Sequence, residues 1–576
     1  MLINKEIFNF SLDKVLASVV MYYLTMASLV KKHIKRKPYY YAVESKRVNG
    51  KPRIVNQTYL GSVETILKKI RSSEKAIEVE VKQFGTVVSL WQQAQELELV
   101  KIIDTIVPQK SHREISIGTF LTVGAINRAI CPTSKNGIGS WMKKTVLPRL
   151  IEEEASAFDS QSFWDAMEQV EPEHIAAIEE SLWKVTLQHY NVISDTLFYD
   201  NSNFATYIDS LTKCSLPQCG KPKKGNPQQR LVGISMAATR EWGFPLWHML
   251  YEGNRHDAKL FPETISLLVE RFHQMTKGCK KLSLVFDKGN NSEANIQLAN
   301  NLDVYCIGSL KPSDFPQFLK IPLDQFTEEV NDYKLYRSRV IIFGRPRTVV
   351  VTYYHKLFER QKRTFEKRLE KAKAKLFARF QKEYEKEKYT HSNETLVEKY
   401  ETYLKSKKLS QYLRVKVTGK YNRSLKIECQ KRTVNKAYQR FGKTIIFCDN
   451  DDLSSSEIMA AYHGKHVIED NFRYLKDRHH LRFEPLHHWT DQKIRVHALM
   501  CVLGLFLVKL LLYRLNKADL AMSLPVMMQE LGDIEEVMWL YPSERIERMI
   551  TKLSTVQRKL YELFGLGQYE LPDPGG

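Results

Sequence analysis

What is scarce in this chain narrows the possibilities before any motif is considered. Only 8 cysteines are spread over 576 residues, most of them inside apolar or strand-like runs. That excludes the disulfide framework that staples small secreted domains and leads us to expect a reducing, cytoplasmic setting. The nearest pair, Cys214 and Cys219 in "KCSLPQCGK", has four intervening residues and no obvious second pair, so it reads as a loop rather than half a zinc site. No uninterrupted apolar run reaches the roughly 20 residues a spanning helix needs. The longest candidate, "ALMCVLGLFLVKLLLY" (498–513), is interrupted by Lys509 and reads as a core helix, with no membrane partner. "VLASVVMYYLTMASLV" (15–30) carries its basic run, "KKHIKRK", behind it, the reverse of an export signal. Fixed-period repeats are absent. Acidic residues are also in deficit: 66 Asp and Glu face 87 Lys and Arg, a net charge of +21. A polyanion is therefore the first partner to consider, because basic contacts to phosphates release condensed counterions. With 43% hydrophobic and 11% aromatic residues, the chain is a folded protein with a basic surface rather than a histone-like tail. At a prior of about 150 residues per domain it holds three or four units.

The pattern along the chain divides it. "PYYYAVESKRVNGKPRIVNQTYLG" (38–61) alternates apolar and polar residues around Asn49-Gly50, a hairpin signal, so 26–75 forms a basic β-element. From 76 to 185 the apolar residues recur at helical spacing, as in "VSLWQQAQELELVKIIDTIV", which predicts a compact helical domain. β-rich runs then follow at 191–200, 231–237, 244–251 and 281–287, with the helical "PETISLLVERFHQM" before the last. Such an order suits a mixed sheet covered by helices, an α/β fold. The stretch 311–442 differs in character and holds the basic helix 358–389, and the α/β pattern resumes at "KTIIFCD" (443–449). We therefore expect an α/β core in two parts, 186–310 and 443–518, interrupted by an insertion at 311–442 and followed by a helical tail, 519–576. The charges of the 358–389 helix suit a solvated, salt-bridged face, a DNA-contact surface, or both.

Two β-rich runs end in aspartate. Asp200 follows "LFY" in "DTLFYDNSN", and Asp287 follows "LSLVF" and precedes the Gly289-Asn290-Asn291 turn. Carboxylates at neighbouring strand ends repel unless a cation lies between them, and hard oxygen ligands favour magnesium or manganese. A strand-terminal aspartate also serves as a turn former or helix cap. A third acid lies in "AYHGKHVIEDNFRYLKD" (461–477), which reads as one short helix. At 100° per residue, Tyr462, Lys465, Arg473 and Lys476 share a stripe with Glu469, while Val467, Ile468, Phe472 and Leu475 form the apolar side. The stripe could hold a metal beside a scissile phosphate, with the cations gripping the flanking backbone; an amphipathic helix with i,i+4 ion pairs would have the same pattern.

On these residues the chain resembles the DDE-type insertion-sequence transposases of the IS-four superfamily, in its IS sixteen-thirty-four-like branch. The run from Tyr462 to Lys476 looks like the Y-x2-R-x3-E-x6-K signature, with Lys465 at the usual Arg position. Further stretches agree in kind and order, among them "LFYDNS", "GKPKKGNPQQRLVGISM", "GFPLWHMLYEGNRHD", "LVFDKGNNS", "INRAICPTSKNGIGSWM" and "LRFEPLHHWTDQKIRVHALM". The resemblance spans residues 26 to 518. It implies an RNase H-like catalytic core, a mixed sheet flanked by helices, with Asp200 on its first strand, Asp287 on its fourth and Glu469 on a late helix. It also implies an inserted domain, here α+β, and a mainly helical N-terminal region that binds the element's ends.

The activity implied is DNA transposition by a cut-and-paste route. Two divalent ions, Mg with Mn as substitute, would be held by Asp200, Asp287 and Glu469 and would serve cleavage at the terminal inverted repeats and strand transfer into target DNA. Tyr462, Lys465 and Lys476, with Arg473 beside them, would bind DNA near the cleaved strand. Lys465 is a point charge where the signature has a fork, which disfavours a bidentate phosphate contact there. The loop residues Lys221, Lys223, Lys224 and Arg230 are expected near the DNA path, and His479, His480, His487, His488 and His497 are assigned to backbone contact or packing rather than zinc. By analogy the active species is a homodimer on double-stranded DNA in a prokaryotic, nucleoid-associated setting, and Met26 is the natural start, residues 1–25 being an upstream extension. The competing readings are a catalytically inactive, transposase-derived DNA-binding protein and a metal-dependent nuclease that does not join.

Overall fold

The structure, a computed structural model, describes residues 27–571 except 35–36, 49–50, 66–75, 110–113, 191–194, 210–211, 221–228, 277–280, 385–390, 421, 485 and 542–545. The chain forms two compact units. One is drawn from Met1–Val81, Glu536–Thr551 and Glu570–Gly576, the other from Lys82–Glu535 and Lys552–Tyr569.

In the first unit, β1 (Ala27–Ile34), β2 (Lys37–Val48) and β3 (Lys51–Gly61) form an antiparallel sheet in that order. Val48 faces Lys51 in the ladder, the register a two-residue hairpin requires. The turn residues Asn49 and Gly50, like the extension 1–25 and Met26, lie outside the described residues. β4 (Glu78–Gln83) pairs with the strand Glu535–Leu540, whose other neighbour is Ile546–Ile550.

The second unit is a mixed α/β structure around a ten-stranded sheet. Its strands are β5 (Thr196–Ala205), β6 (Gln218–Cys219), β7 (Arg230–Thr239), β8 (Pro245–Glu252), β9 (Ser283–Phe286), β10 (Tyr305–Ser309), β11 (Glu328–Val330), β12 (Tyr333–Ile342), β13 (Arg345–Tyr354) and, after the separate hairpin of β14 (Leu413–Thr418) and β15 (Ser424–Cys429), β16 (Lys443–Cys448). At its centre the order is β8-β7-β5-β9-β10. β7 runs antiparallel to both β8 and β5, while β5, β9 and β10 are parallel. All four residues of β9, Ser-Leu-Val-Phe, are buried, as expected of a parallel strand covered on both faces. β5 departs from the sequence reading. Asp200 stands mid-strand rather than at a strand end, because Asn201 to Ala205 continue the ladder opposite Ser235 to Leu231 of β7. A complete set of partner bonds outweighs the poor strand propensity of "NSN".

The segment 311–442 goes to two places. β11, β12 and β13 extend the main sheet beyond β16. The helices His355–Tyr384 and Asn393–Ser406, the β14-β15 hairpin and the helix Lys431–Tyr438 surround a hydrophobic cluster of their own. The long basic helix buries only Phe365, Leu369, Ala372 and Leu376, a single stripe at helical spacing. On the N-terminal side, helices Gly85–Glu96, Ile117–Ile130, Ser160–Glu168 and Pro172–Tyr190 pack against Asp491–Lys517. That last helix is long and apolar enough to cross a membrane by length and composition, but 89% of its most apolar window is buried inside the protein. Close approach needs glycine at the crossing: a Cβ on Gly504 would lie 2.7 Å from the Ala125 carbonyl oxygen, and one on Gly124 would run into Met500 Sδ.

Candidate active site

Tyr199 and Phe286 are the last paired residues of the parallel β5-β9 ladder, so the next residue of each strand, Asp200 and Asp287, emerges beside the other on strands about 4.8 Å apart. Asp200 shares its face of β5 with Phe198 and Ser202, and the C-terminal signature packs onto that face. Phe204, further along it, meets Phe472 with ring centroids 6.4 Å apart. Lys476 Nζ donates to Ser202 Oγ at 2.6 Å and lies 4.9 Å from the centre of the Phe204 ring.

The stretch 461–477 is not one helix. The helix Ser455–His463 ends at Gly464, and a second, His466–Leu475, begins after Lys465. Across the joint the backbone bonds tighten to i→i−3, as from Lys465 to Tyr462, Val467 to Gly464 and Ile468 to Lys465. Gly464 sits so close to Phe198 that a Cβ there would stand 2.9 Å from its Cζ. The break tucks the chain against β5 two residues from Asp200.

Lys465, at that break, is the electrostatic hub. Its ammonium lies 3.2 Å from Asp287 Oδ1 and 3.5 Å from Glu469 Oε1, with the Tyr462 ring centre 5.4 Å away. Burial alone would lower its pKa, but Tyr462, Asp287 and Glu469 together outweigh that and hold the ammonium above its usual value. The Tyr462 phenol is buried, which raises its pKa, with Lys465 and a hydrogen bond with Ser309 pulling the other way. Asp287, Glu469, Lys465 and Tyr462 therefore form one constellation, with Asp200 next to Asp287 in register.

Not every predicted residue joins it. Arg473 pairs with Asp470 at 3.0 Å and is largely exposed. Arg230 opens β7, at the end of β5 away from Asp200 by register. Its guanidinium donates to the backbone carbonyls of Pro217 and Asp209 at 2.8 and 2.7 Å, which ties two loop segments together. Lys221, Lys223 and Lys224 lie outside the described residues. Ser202 and Ser309 went unnamed in the sequence, although period-2 geometry from Asp200 points to Ser202.

The donor set suits a hard divalent cation in kind, three carboxylates with an ammonium among them. Among the described residues, however, no three His, Cys, Asp or Glu side chains converge closely enough to hold a metal ion; Asp287 and Glu469 converge on Lys465 instead.

No protein-family model and no curated protein matches the sequence. Among solved structures the chain is similar to a piggyBac transposase, determined by cryo-EM as a synaptic complex with hairpin DNA. The likeness covers 87% of this chain and 89% of that one at 9% identity and a TM-score of 0.37. At that score it carries no argument about this chain.

Proposed function

We propose that this chain is a DDE-type DNA transposase of an insertion sequence, built on an RNase H-like core, that cuts at its element's ends and joins them to target DNA. The observation that carries the reading is the meeting of Asp287 and Glu469 at Lys465, with Asp200 beside Asp287 on the adjoining parallel strand. The strand order β8-β7-β5-β9-β10, three antiparallel strands followed by two parallel to β5, supports the fold assignment. The net charge of +21 supports DNA as the substrate.

In this reading Asp200, Asp287 and Glu469 would hold two Mg ions, or Mn in their place, which would lower the pKa of coordinated water and neutralise charge on phosphoryl oxygens. Lys465 would serve as a single-point donor to a phosphate of the cleaved strand. Tyr462 offers a phenol to the same backbone, and Lys476 is held toward β5 by Ser202. In this reading 76–185 binds the element's ends; within 311–442 the part folded on its own hydrophobic cluster is the insertion, while β11, β12 and β13 extend the core sheet, which 443–518 completes. The working species is a homodimer on double-stranded DNA in the cytoplasm.

The test is cleavage and joining of a DNA fragment carrying the element's own ends, with Mg or Mn, comparing wild type with Glu469→Gln. Metal-dependent cutting and joining that the substitution abolishes, while end binding survives, is the expected outcome. Binding without chemistry in either protein would leave only a transposase-derived DNA-binding protein, and cutting without joining would leave a nuclease.

A further inference from the structure

A second cluster of polar groups lies apart from the acids. Helix Ile117–Ile130, the start of helix Lys135–Met142 and residues Arg482, Glu484, His487, His488 and His497 enclose a cavity of about 350 Å³. Its wall includes Arg128, Lys135, Trp164, Glu484, His488 and His497. The side chains of Arg128, Lys135, His488 and His497 are all at least nine-tenths buried. Among the described residues neither Arg128 nor Lys135 forms an ion pair. Arg128 donates to the carbonyls of Arg482 and Thr133 and to Asn127, yet its Nε has no partner. The Lys135 ammonium meets Met500 Sδ at 3.6 Å and lies 5.4 Å from the centre of the Phe163 ring. The carboxylate in the wall, Glu484, accepts from the backbone N–H of Ala205. Nδ1 of His488 and Nδ1 of His497 are buried without partners, while His497 Nε2 donates to the Phe483 carbonyl at 3.1 Å. Burial, reinforced by Arg128, drives the Lys135 ammonium down to about 7, and burial pushes both imidazoles well below their usual value.

Burying an uncompensated cation costs several kcal/mol, and two in one cavity repel each other besides. Packing alone gives no reason to keep them, since a leucine or methionine would fill the same space. An anion in the cavity supplies a counter-charge for Arg128 and Lys135 and an acceptor for the Arg128 Nε–H, and a phosphate bearing one P–OH also offers a donor to the lone pair on His497 Nδ1. The mouth narrows the class. Trp164 lines the cavity and stacks at 6.1 Å and 19° on Trp489, which is 63% exposed. Lys493 lies 4.9 Å over the Trp164 ring. A cationic hollow beside an exposed indole suits a phosphate carried by a planar base.

We propose that this cavity is a phosphate-binding site, in which Arg128 and Lys135 hold the phosphate group and His488 and His497 complete its shell. The same chemistry is offered by inorganic phosphate and by the phosphate of a nucleotide. The site is tied to the acids through the chain: Glu484 in its wall bonds to the last residue of β5, the strand that carries Asp200, and Phe483 N–H donates to Leu475, the last residue of the helix that carries Glu469.

The experiment titrates the full-length protein with inorganic phosphate, with deoxyadenosine monophosphate and with a short single-stranded oligonucleotide. Binding is followed by tryptophan fluorescence and by the rise in melting temperature, for wild type and Lys135→Met. Saturable quenching and thermal stabilisation are expected in wild type, with affinity weakened about 10-fold or more in the variant. The variant by itself should melt no lower than wild type, because it removes an unpaired buried cation; this separates loss of the site from loss of the fold. Equal affinity for phosphate and the nucleotides would assign the site to free phosphate, and tighter binding of a nucleotide would assign it to nucleic acid. The proposal is overturned if none of the three probes affects wild type, or if they affect Lys135→Met equally.

Discussion

The joint at Gly464 allows two opposing effects to be weighed against each other. Its backbone is right-handed helical, φ −62° and ψ −15°, so alanine fits it without strain and by propensity alone would stabilise the joint by about 1 kcal/mol. The neighbours say otherwise. The new Cβ would sit 2.9 Å from Phe198 Cζ and 3.1 Å from the Ala460 carbonyl oxygen, and Phe198 is fully buried and cannot swing aside. Forcing a methyl into a packed site costs about 1–3 kcal/mol. The net expectation for Gly464→Ala is a local loss of about 0–2 kcal/mol, confined to the segment 455–476. Native-state hydrogen exchange reads this directly: a loss of 1–2 kcal/mol makes the amides of that segment open about 5 to 30 times more often. Under the proposed function, end cleavage should fall further than stability, because the joint sets Lys465 and Glu469 against Asp287. Slower exchange in the variant would show that propensity wins, and would refute the claim that Phe198 dictates the break.

Two further outcomes follow from buried charges. Lys509, in the core helix, is pushed down to about 8 by burial, with Asp470 opposing. Above that value the unfolded chain, titrating near 10.4, holds a proton that the native protein does not, so stability rises from about pH 8 to pH 10. Lys509→Met should raise the urea midpoint at pH 7, by up to roughly 3 kcal/mol in stability, and flatten that rise while leaving the share due to Lys135; an unchanged pH slope would count against it. Glu179 is buried, accepts from the His248 side chain and backbone, and takes Arg271 Nη1 at 2.7 Å. Glu179→Gln should cost about 3 kcal/mol or more by leaving Arg271 facing a neutral amide, and a melting temperature equal to that of wild type would contradict it.

Much of the central sheet could be read from local pattern. β7, β8 and β9 are apolar runs bounded by turns, and Asp287 follows its strand as expected. Asp200 could not be placed in the same way: "NSN" looks like a turn until β7 lies alongside and supplies ladder partners. The break at Gly464 was equally hidden, since one glycine in a helical pattern is ordinarily tolerated and the cause is Phe198, on a strand remote in sequence. Nor does any local signal say that β11 to β13 would continue the main sheet rather than stand alone. The second cavity was the least legible. Arg128 lies in a helical, apolar stretch and Lys135 in the interruption "CPTSKNGIGSW" after it, and only the fold brings His488 and His497 against them.

Lys465 connects the departure from the family signature with the geometry. Asp287 and Glu469 approach the same point, and positive charge between them relieves their mutual repulsion. Here that charge is the ammonium of Lys465, and because both carboxylates are about half exposed, each pair contributes no more than ~1 kcal/mol. An arginine at 465, the residue the signature leads one to expect, would grip a carboxylate through two parallel bonds of fixed geometry. A lysine holds each acid through one compact charge on a flexible stem and releases it at low cost. If the acids are to exchange an internal cation for divalent ions during the reaction, the looser grip favours the exchange. Under the proposed function the same residue makes a weaker, single-point contact to the DNA backbone. In that reading lysine at 465 trades strength at the phosphate contact for easier loading of the acids.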